Sequence, residues 1–243
     1  EPMSLDEAYL DITESVHQGQ KALQIGIDLK NNVLSSTGLV ISIGIGTNKS
    51  ISKIASDLGK PNGLVIVSAG NEADFLSPLP VGRIPGIGPK TMSRLKDDGV
   101  FTIGQLAAHE PHWFRTRFGK RGLDMRAKAH GQDNEVVHTT RLSKSISAET
   151  TFSEDVDNFE IIQLDLFKLI DKVTNQLTLK DLLCKTITIK MRLSDFTTFT
   201  RQLTFDRATR SREELIDSAL NLLKKEVQPD RLFRLIGFGV SNF

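Results

Sequence analysis

Two adjacent carboxylates, Asp6 and Glu7, lie within Ser4-Leu5-Asp6-Glu7-Ala8-Tyr9-Leu10-Asp11. Like charges that close repel unless a cation offsets them. Hard oxygens at the end of a strand suit Mg²⁺, which is held by one or two carboxylates together with substrate phosphates. A solvated hairpin turn has the same composition, so the pair gains meaning only from its surroundings. A second group is Ile84-Pro85-Gly86-Ile87-Gly88-Pro89-Lys90. Two glycines around one apolar residue allow a tight hairpin with outward N–H groups, and Pro89 suits the first turn of a following helix. Exposed amides at a helix N-terminus bind phosphate. That is the helix–hairpin–helix way of holding a nucleic-acid backbone without reading bases. An ordinary loop between helices is the competing reading. Lys90 and Arg94 add positive charge there. Lys60, in the turn Lys60-Pro61-Asn62-Gly63, could reach a triphosphate as a point charge. A lysine in such a turn is also a common solvated surface residue.

Other candidates carry less. His109 and His112 are three apart but have no third ligand nearby, and zinc sites need three or four. Trp113 and Phe114 read as core anchors. No nucleophile triad and no P-loop lysine motif is present.

The elements that must position these groups follow from periodicity. A strand is expected to end at Asp6-Glu7, and a second to run from Ala8 to Thr13. Gln20 to Leu34 has helical spacing, Leu39 to Ile45 reads as a strand, Asn48 to Leu58 as a helix and Leu64 to Val67 as a short strand. Together they predict an α/β layer. Residues 81–131 show no good strand. Helical pieces are expected around Pro89 to Asp97, Ile103 to Ala108 and Gly122 to His130. Residues 132–142 are polar and read as a tether.

In the last hundred residues Lys185 to Leu193 alternates, with Ile187, Ile189, Met191 and Leu193 on one face and Thr186, Thr188, Lys190 and Arg192 on the other. Thr198 to Phe205 alternates as well. Long helices are expected between Phe159 and Leu179 and from Ser211 onward, the latter opened by a Ser211…Glu214 capping box. The order strand–helix–strand–strand–helix–strand is ferredoxin-like. Two helices would cover one face and leave the other open, with Thr, Lys and Arg pointing out. The expected fold class is α+β and multidomain.

At 243 residues the chain has room for two or three small domains. Apolar and charged fractions of 39% and 25% fit a globular protein and argue against disorder. The apolar stretch from Gly38 to Gly46 falls far short of the roughly 20 residues that span a bilayer. The chain opens on an acidic turn, so no secretory leader is expected. Cys184 is the only cysteine, which excludes an internal disulfide and fits a reducing cytoplasm. Residues 1–80 hold 5 Lys and Arg against 9 Asp and Glu, whereas residues 81–140 hold 10 against 6. An acidic part followed by a basic one suits a metal site beside a polyanion track.

Three motifs in this order, Ser4-Leu5-Asp6-Glu7-Ala8-Tyr9-Leu10-Asp11, Ala55-Ser56-Asp57-Leu58-Gly59-Lys60-Pro61-Asn62-Gly63 and Ile84-Pro85-Gly86-Ile87-Gly88, resemble a Y-family (DinB-type) translesion DNA polymerase. The resemblance spans essentially the whole chain. It implies a partial palm over 1–80, a helical thumb with a helix–hairpin–helix over 81–131, a tether over 132–142 and a ferredoxin-like (βαββαβ) little finger over 143–243. By motif match Asp6 and Glu7 are similar to palm carboxylates that hold two catalytic Mg²⁺ ions. Lys60 matches a lysine on the incoming triphosphate, and Gly86, Ile87 and Gly88 match a hairpin on the primer-side backbone. Lys90, Lys144, Lys190, Arg192, Arg201 and Arg234 are candidate phosphate contacts.

The implied reaction is template-directed nucleotidyl transfer to a primer 3′-OH. The implied partners are primer–template DNA and a deoxynucleoside triphosphate, with a sliding clamp as a further candidate, for a cytoplasmic monomer with no membrane contact. Such a polymerase also has a first metal-binding Asp and a fingers domain that this sequence lacks. The chain is therefore expected to be a fragment, inactive by itself. A non-catalytic DNA-binding module is the alternative. A palm-type nucleotidyl cyclase shares the carboxylate logic but has no need of the glycine hairpin.

Overall fold

The computed structural model describes residues 1–140, 143–228 and 231–243. By internal contacts the chain divides into two units, 1–140 and 141–243. Each has its own core.

The first unit opens on a loop. Pro2 and Ala8 form a single antiparallel bridge, and the carbonyl of Glu7 accepts from the N–H groups of Met3 and Ser4. The strands expected around Asp6-Glu7 and over Ala8–Thr13 are not formed, because this segment meets no neighbouring strand among the described residues with which to extend a ladder. Helices α1 (Thr13–His17) and α2 (Ala22–Thr37) follow. Strand β1 is only Ile43–Ile45, shorter than the expected stretch from Leu39 to Ile45. Leu39 and Val40 remain exposed. Helix α3 (Lys49–Leu58) is capped by Asn48, whose side chain accepts from Ile51 N–H. It leads to β2 (Leu64–Ile66), which pairs parallel to β1. Gly44 is where β1 meets α3. A Cβ there would lie 2.0 Å from the Ser52 carbonyl oxygen, so only glycine permits this approach.

Helix α4 (Glu72–Leu76), a 3₁₀ turn (Val81–Arg83) and helices α5 (Pro89–Asp97), α6 (Ile103–Ala107), α7 (Pro111–Phe118) and α8 (Lys120–Ala129) complete the unit. Its core runs from Ile51 and Ile54 of α3 through Leu76, Ile84, Leu95, Ile103 and Leu106 to Phe114. Helix α7 has Pro111 at its first turn and buries Phe114 fully. Trp113 is half-buried and stacks on His109.

The second unit runs β3 (Ser145–Val156), α9 (Phe159–Leu179), β4 (Cys184–Leu193), β5 (Thr198–Thr209), α10 (Arg212–Lys224) and β6 (Phe233–Ser241). This is the βαββαβ order. The sheet order is β3-β6-β4-β5, and every neighbouring pair is antiparallel. Each helix therefore links two parallel strands across an intervening one, a split βαβ unit. Helix α9 turns Ile162, Leu166, Leu169, Ile170, Val173 and Leu177 onto Ile187, Ile189, Met191, Ile236, Phe238 and Val240, all nearly inaccessible. Each such side chain contributes about 1.5–3 kcal/mol by leaving water. Asn158 caps α9 and Ser211 caps α10. Residues 141–142, the end of the expected tether, lie outside the described residues. No described helix is long and apolar enough to cross a membrane.

Candidate active site and nucleic-acid interface

Asp6 and Glu7 sit exposed at the tip of the opening loop. The Ser4 hydroxyl donates to Asp6 at 2.6 Å. That bond, followed by the Asp6 backbone N–H, holds the Asp6 carboxyl below its ordinary value. The nearby ammonium groups of Lys60 and Lys53 push it the same way. Glu7 is bound through both oxygens by Lys53 Nζ, at 2.8 and 2.9 Å. One turn earlier on α3, Lys49 Nζ holds Glu1 at 2.5 Å. The loop thus lies along α3 on two lysine–glutamate rungs.

Lys60 is exposed and pairs with Asp57 at 2.7 Å. Hydrogen bonding to Asp57 raises its pKa, and the Glu7 charge adds to this. The turn that follows is fastened by Lys30 of α2, whose Nζ donates to Asn62 Oδ1 and to the carbonyls of Ile41, Asn62 and Gly63. Lys53 is absent from the sequence-based set. Its signal was its position four residues after Lys49, which puts the two lysines on one face of α3.

At the glycine hairpin Gly86 has φ +96°, a conformation that suits glycine, and nothing lies within 4 Å of a Cβ placed there. Gly88 is likewise open and precedes α5, with Pro89 at the first turn. Ile87 behaves differently. Its side chain is buried and its N–H is already given to the Ile84 carbonyl at 3.1 Å. The N–H groups of Gly86, Gly88 and Lys90 have no partner among the described residues. The hairpin can therefore offer three amides with the exposed Lys90 ammonium beside them, and Ile87 serves as the anchor that aims them. Arg94 is engaged elsewhere. It donates to the Arg117 carbonyl at 2.7 Å and stacks on Phe118.

In the second unit the pairing register defines the face not covered by helices. One row reads Glu149–Gly237–Lys190–Thr200 and the next Ser147–Gly239–Thr188–Gln202. A third reads Ser145–Ser241–Thr186–Thr204. Two glycines on the central strand β6 lower the middle of this face, and hydroxyls flank them. Periodicity pointed to Thr188 and Lys190 but gave no signal for Gly237 and Gly239, whose place depends on strand order. Lys190 carries Glu149 at 2.7 Å. Arg192 donates Nε to Thr198 and has no carboxylate partner among the described residues. Lys144 is exposed.

Arg201 departs from expectation. It pairs in register with Ile189, so it points to the helix side, where Nε and Nη2 grip the nearly buried Glu226 at 2.6 and 3.1 Å. An arginine on the apolar face of an edge strand must find a carboxylate near the helix end, and it is not available to a ligand on the open face. Arg234 lies 3.5 Å from Asp155 and stacks on Phe196. His109 and His112 gain no third ligand. Among the described residues no group of three or more His, Cys, Asp or Glu is placed to hold a metal.

A carboxylate loop braced by lysines, an amide hairpin and an open hydroxyl-lined sheet define the class: an α+β protein with the palm, thumb and little-finger layout of a polymerase. Sequence profiles of the impB/mucB/samB family match residues 1–57, those of its C-terminal domain match 143–243, and the IMS family HHH motif matches 69–100. The chain is 39% identical over 246 residues to DNA polymerase IV of Dehalococcoides mccartyi (strain CBDB1), covering all of this chain and 63% of that protein. It is 35% identical over 242 residues to DNA polymerase IV of Staphylococcus aureus (strain MRSA252), covering 68% of it. Among solved structures, a "Y-family DNA polymerase chimera Dbh-Dpo4(243-245)-Dbh" superposes with TM-score 0.90 at 26% identity, over all of this chain and 70% of the other. A DinB from Sulfolobus solfataricus gives 0.60 at 25% identity, over 99% of this chain and 70% of the other. The chain belongs to the impB/mucB/samB family, the DinB-type Y family. It spans a little under two thirds of the length of the first relatives it matches.

Proposed function

We propose that this chain forms the carboxylate loop, triphosphate lysines, thumb and little finger of a translesion DNA polymerase. Its domains would be those read from the sequence, a partial palm over 1–80, a thumb over 81–131 and a little finger over 143–243. The observation that carries the reading is that two exposed carboxylates, Asp6 and Glu7, lie within electrostatic reach of two lysines, Lys53 and Lys60. Such a set accepts both a cation and a polyphosphate.

The donors fit a hard divalent ion. Both carboxylates are exposed, and Glu7 already holds a cation, the Lys53 ammonium. Asp6 and Glu7 would supply two oxygen ligands, with water and substrate phosphate completing the shell. Mg²⁺ held there, two ions in the full site as we propose it, would supply charge neutralisation to an in-line displacement. The chain's own residues do the rest by positioning. Lys60 and Lys53 would orient the triphosphate, and Ser4 fixes the Asp6 carboxylate. The amides of Gly86 and Gly88 would hold the primer backbone, with Lys90 adding charge. The face of Gly237, Gly239, Thr188, Lys190 and Arg192, with Lys144 at its border, would rest on phosphates. Contacts to backbone alone tolerate distorted bases, which copying past damage requires. Primer–template DNA and a deoxynucleoside triphosphate are the partners this implies. The relatives' names and a neighbour described as "Insertion ternary complex of Dbh DNA polymerase" support it.

In a polymerase chain that includes this segment, Glu7→Ala lowers nucleotide incorporation by at least about 10²–10³-fold, the scale of losing one charge-stabilising group. Retained activity removes Glu7 from the site. The 243-residue chain by itself binds DNA with an affinity that falls steeply as salt rises. Binding insensitive to salt removes the backbone-holding role of hairpin and sheet. DNA binding with no incorporation by the longer chain favours the non-catalytic module instead.

A further inference from the structure

The segment after α8 was expected to be a tether, yet much of it is fastened. Three consecutive residues at the start of α3 each hold a different point of it. Asn48 Nδ2 donates to the Gly131 carbonyl at 2.8 Å, and Ser50 Oγ donates to Asp133 at 2.5 Å. Lys49 Nζ reaches Glu135 at 3.4 Å. The same Lys49 ammonium bonds Glu1 at 2.5 Å, and Glu1 Oε2 accepts the backbone N–H of His138 at 2.8 Å. Glu1 is also the foot of the carboxylate loop, because its carbonyl accepts the Tyr9 N–H at 2.9 Å. The Lys49 and Glu1 side chains are only 5% and 7% exposed. A charge pair taken that far out of water leaves an uncompensated buried charge when either member is lost.

We propose that Lys49 and Glu1 form a buried clasp that joins the Asp6-Glu7 loop and the strap 131–138 into one mechanical piece on the first turn of α3. Lys49 is then a positioning residue. It touches no reacting atom but fixes the foot of the loop whose tip carries the carboxylates. Asn48 and Ser50, which flank Lys49 in sequence, hold the strap at Gly131 and Asp133, so the Lys49–Glu1 pair is a shared joint between two segments distant in sequence. Lys53, one turn further, bonds only the loop tip and takes no part in the strap.

Hydrogen exchange at single amides of the 243-residue chain tests this. Lys49→Met speeds exchange at Tyr9 and His138 together, by about tenfold or more, while amides late in α3 keep their rates. Lys53→Met leaves His138 unchanged. Acceleration of one of the two amides alone, or of neither, overturns the clasp. Should Lys49→Met loosen α3 as well, Glu1→Gln decides by the same two amides, since it keeps the side-chain volume and the lysine. The catalytic consequence rests on the polymerase reading. In a longer chain that incorporates nucleotides, Glu1→Gln raises the Mg²⁺ concentration for half-maximal rate severalfold at unchanged DNA affinity. Unchanged Mg²⁺ dependence overturns the positioning role. Absence of incorporation by the unsubstituted chain overturns the polymerase reading instead, and the exchange result still decides the clasp.

Discussion

Helices α2 and α9 have comparable apolar periodicity and opposite fates. Helix α9 lies over a four-stranded sheet with strands of 9 to 12 residues, and its apolar stripe is inaccessible. Helix α2 faces two strands of three residues each and leaves Leu23, Ile27 and Leu34 between 37% and 51% exposed. An amphipathic stripe becomes core only where the facing sheet is wide enough to cover it. A helix is about 10 Å across with its side chains, and two adjacent strands stand only about 4.8 Å apart. The second unit is held by one broad apolar interface. The first is held by a smaller core together with specific polar fastenings, Lys30 on the 60–63 turn, Lys49 on Glu1 and Lys53 on Glu7.

Mutations at matched positions should separate the two regimes most strongly. Leu166→Ala in α9 costs about 2–5 kcal/mol in the second unit's unfolding free energy by denaturant titration. Ile27→Ala in α2 costs under about 1 kcal/mol in the first unit. Equal losses would mean that α2 is covered in solution. The next contrast is acid. Glu1, Asp6, Asp11 and Glu72 of the first unit are held below their ordinary values by hydrogen bonds, Glu1 chiefly by Lys49 and Glu72 chiefly by Thr47, and Asp195 of the second unit is so held by Thr197. Carboxylates with depressed folded pKa stabilise the fold above their unfolded pKa and lose this as pH falls through the folded one. The first unit should therefore lose stability before the second as pH drops below about 4.5, the ordinary value for Glu1. Amide exchange followed unit by unit between pH 6 and 3 reads the order, and simultaneous loss would show that the polar fastenings carry little. The smallest effect concerns Cys184, whose thiol burial pushes up to about 11 while its sulfur faces the Thr209 carbonyl. At pH 7 a thiol reagent should label it only at the rate at which the second unit opens. Rapid labelling would mean that this core is looser than α9 implies.

Much of the architecture was legible in local patterns. Asn48 and Ser211 announced helix starts, Pro89 marked a first turn, and alternation along β4 assigned its two faces correctly. The opening strands were misread because alternation at residues 4–13 records a tendency that needs a neighbouring strand to be realised. Arg201 was misassigned for a related reason. It shares parity with Phe199 and Leu203, which the pattern contained, but its cationic character suggested the open face, and only Glu226 near the end of α10 explains why it points inward. The fastening of 131–138 had no local signal, since its partners lie more than eighty residues away.

Composition and spacing by themselves determined where helices begin, which residues alternate and which few side chains could meet a metal or a phosphate, because these depend on backbone preferences and short-range chemistry. The order β3-β6-β4-β5, the dip made by Gly237 and Gly239, the lysine rungs under Glu1 and Glu7 and the inward turn of Arg201 were decided only by tertiary structure. Each depends on which segments meet across long loops, and that is settled by the combined burial of many side chains, a property no local stretch of sequence contains.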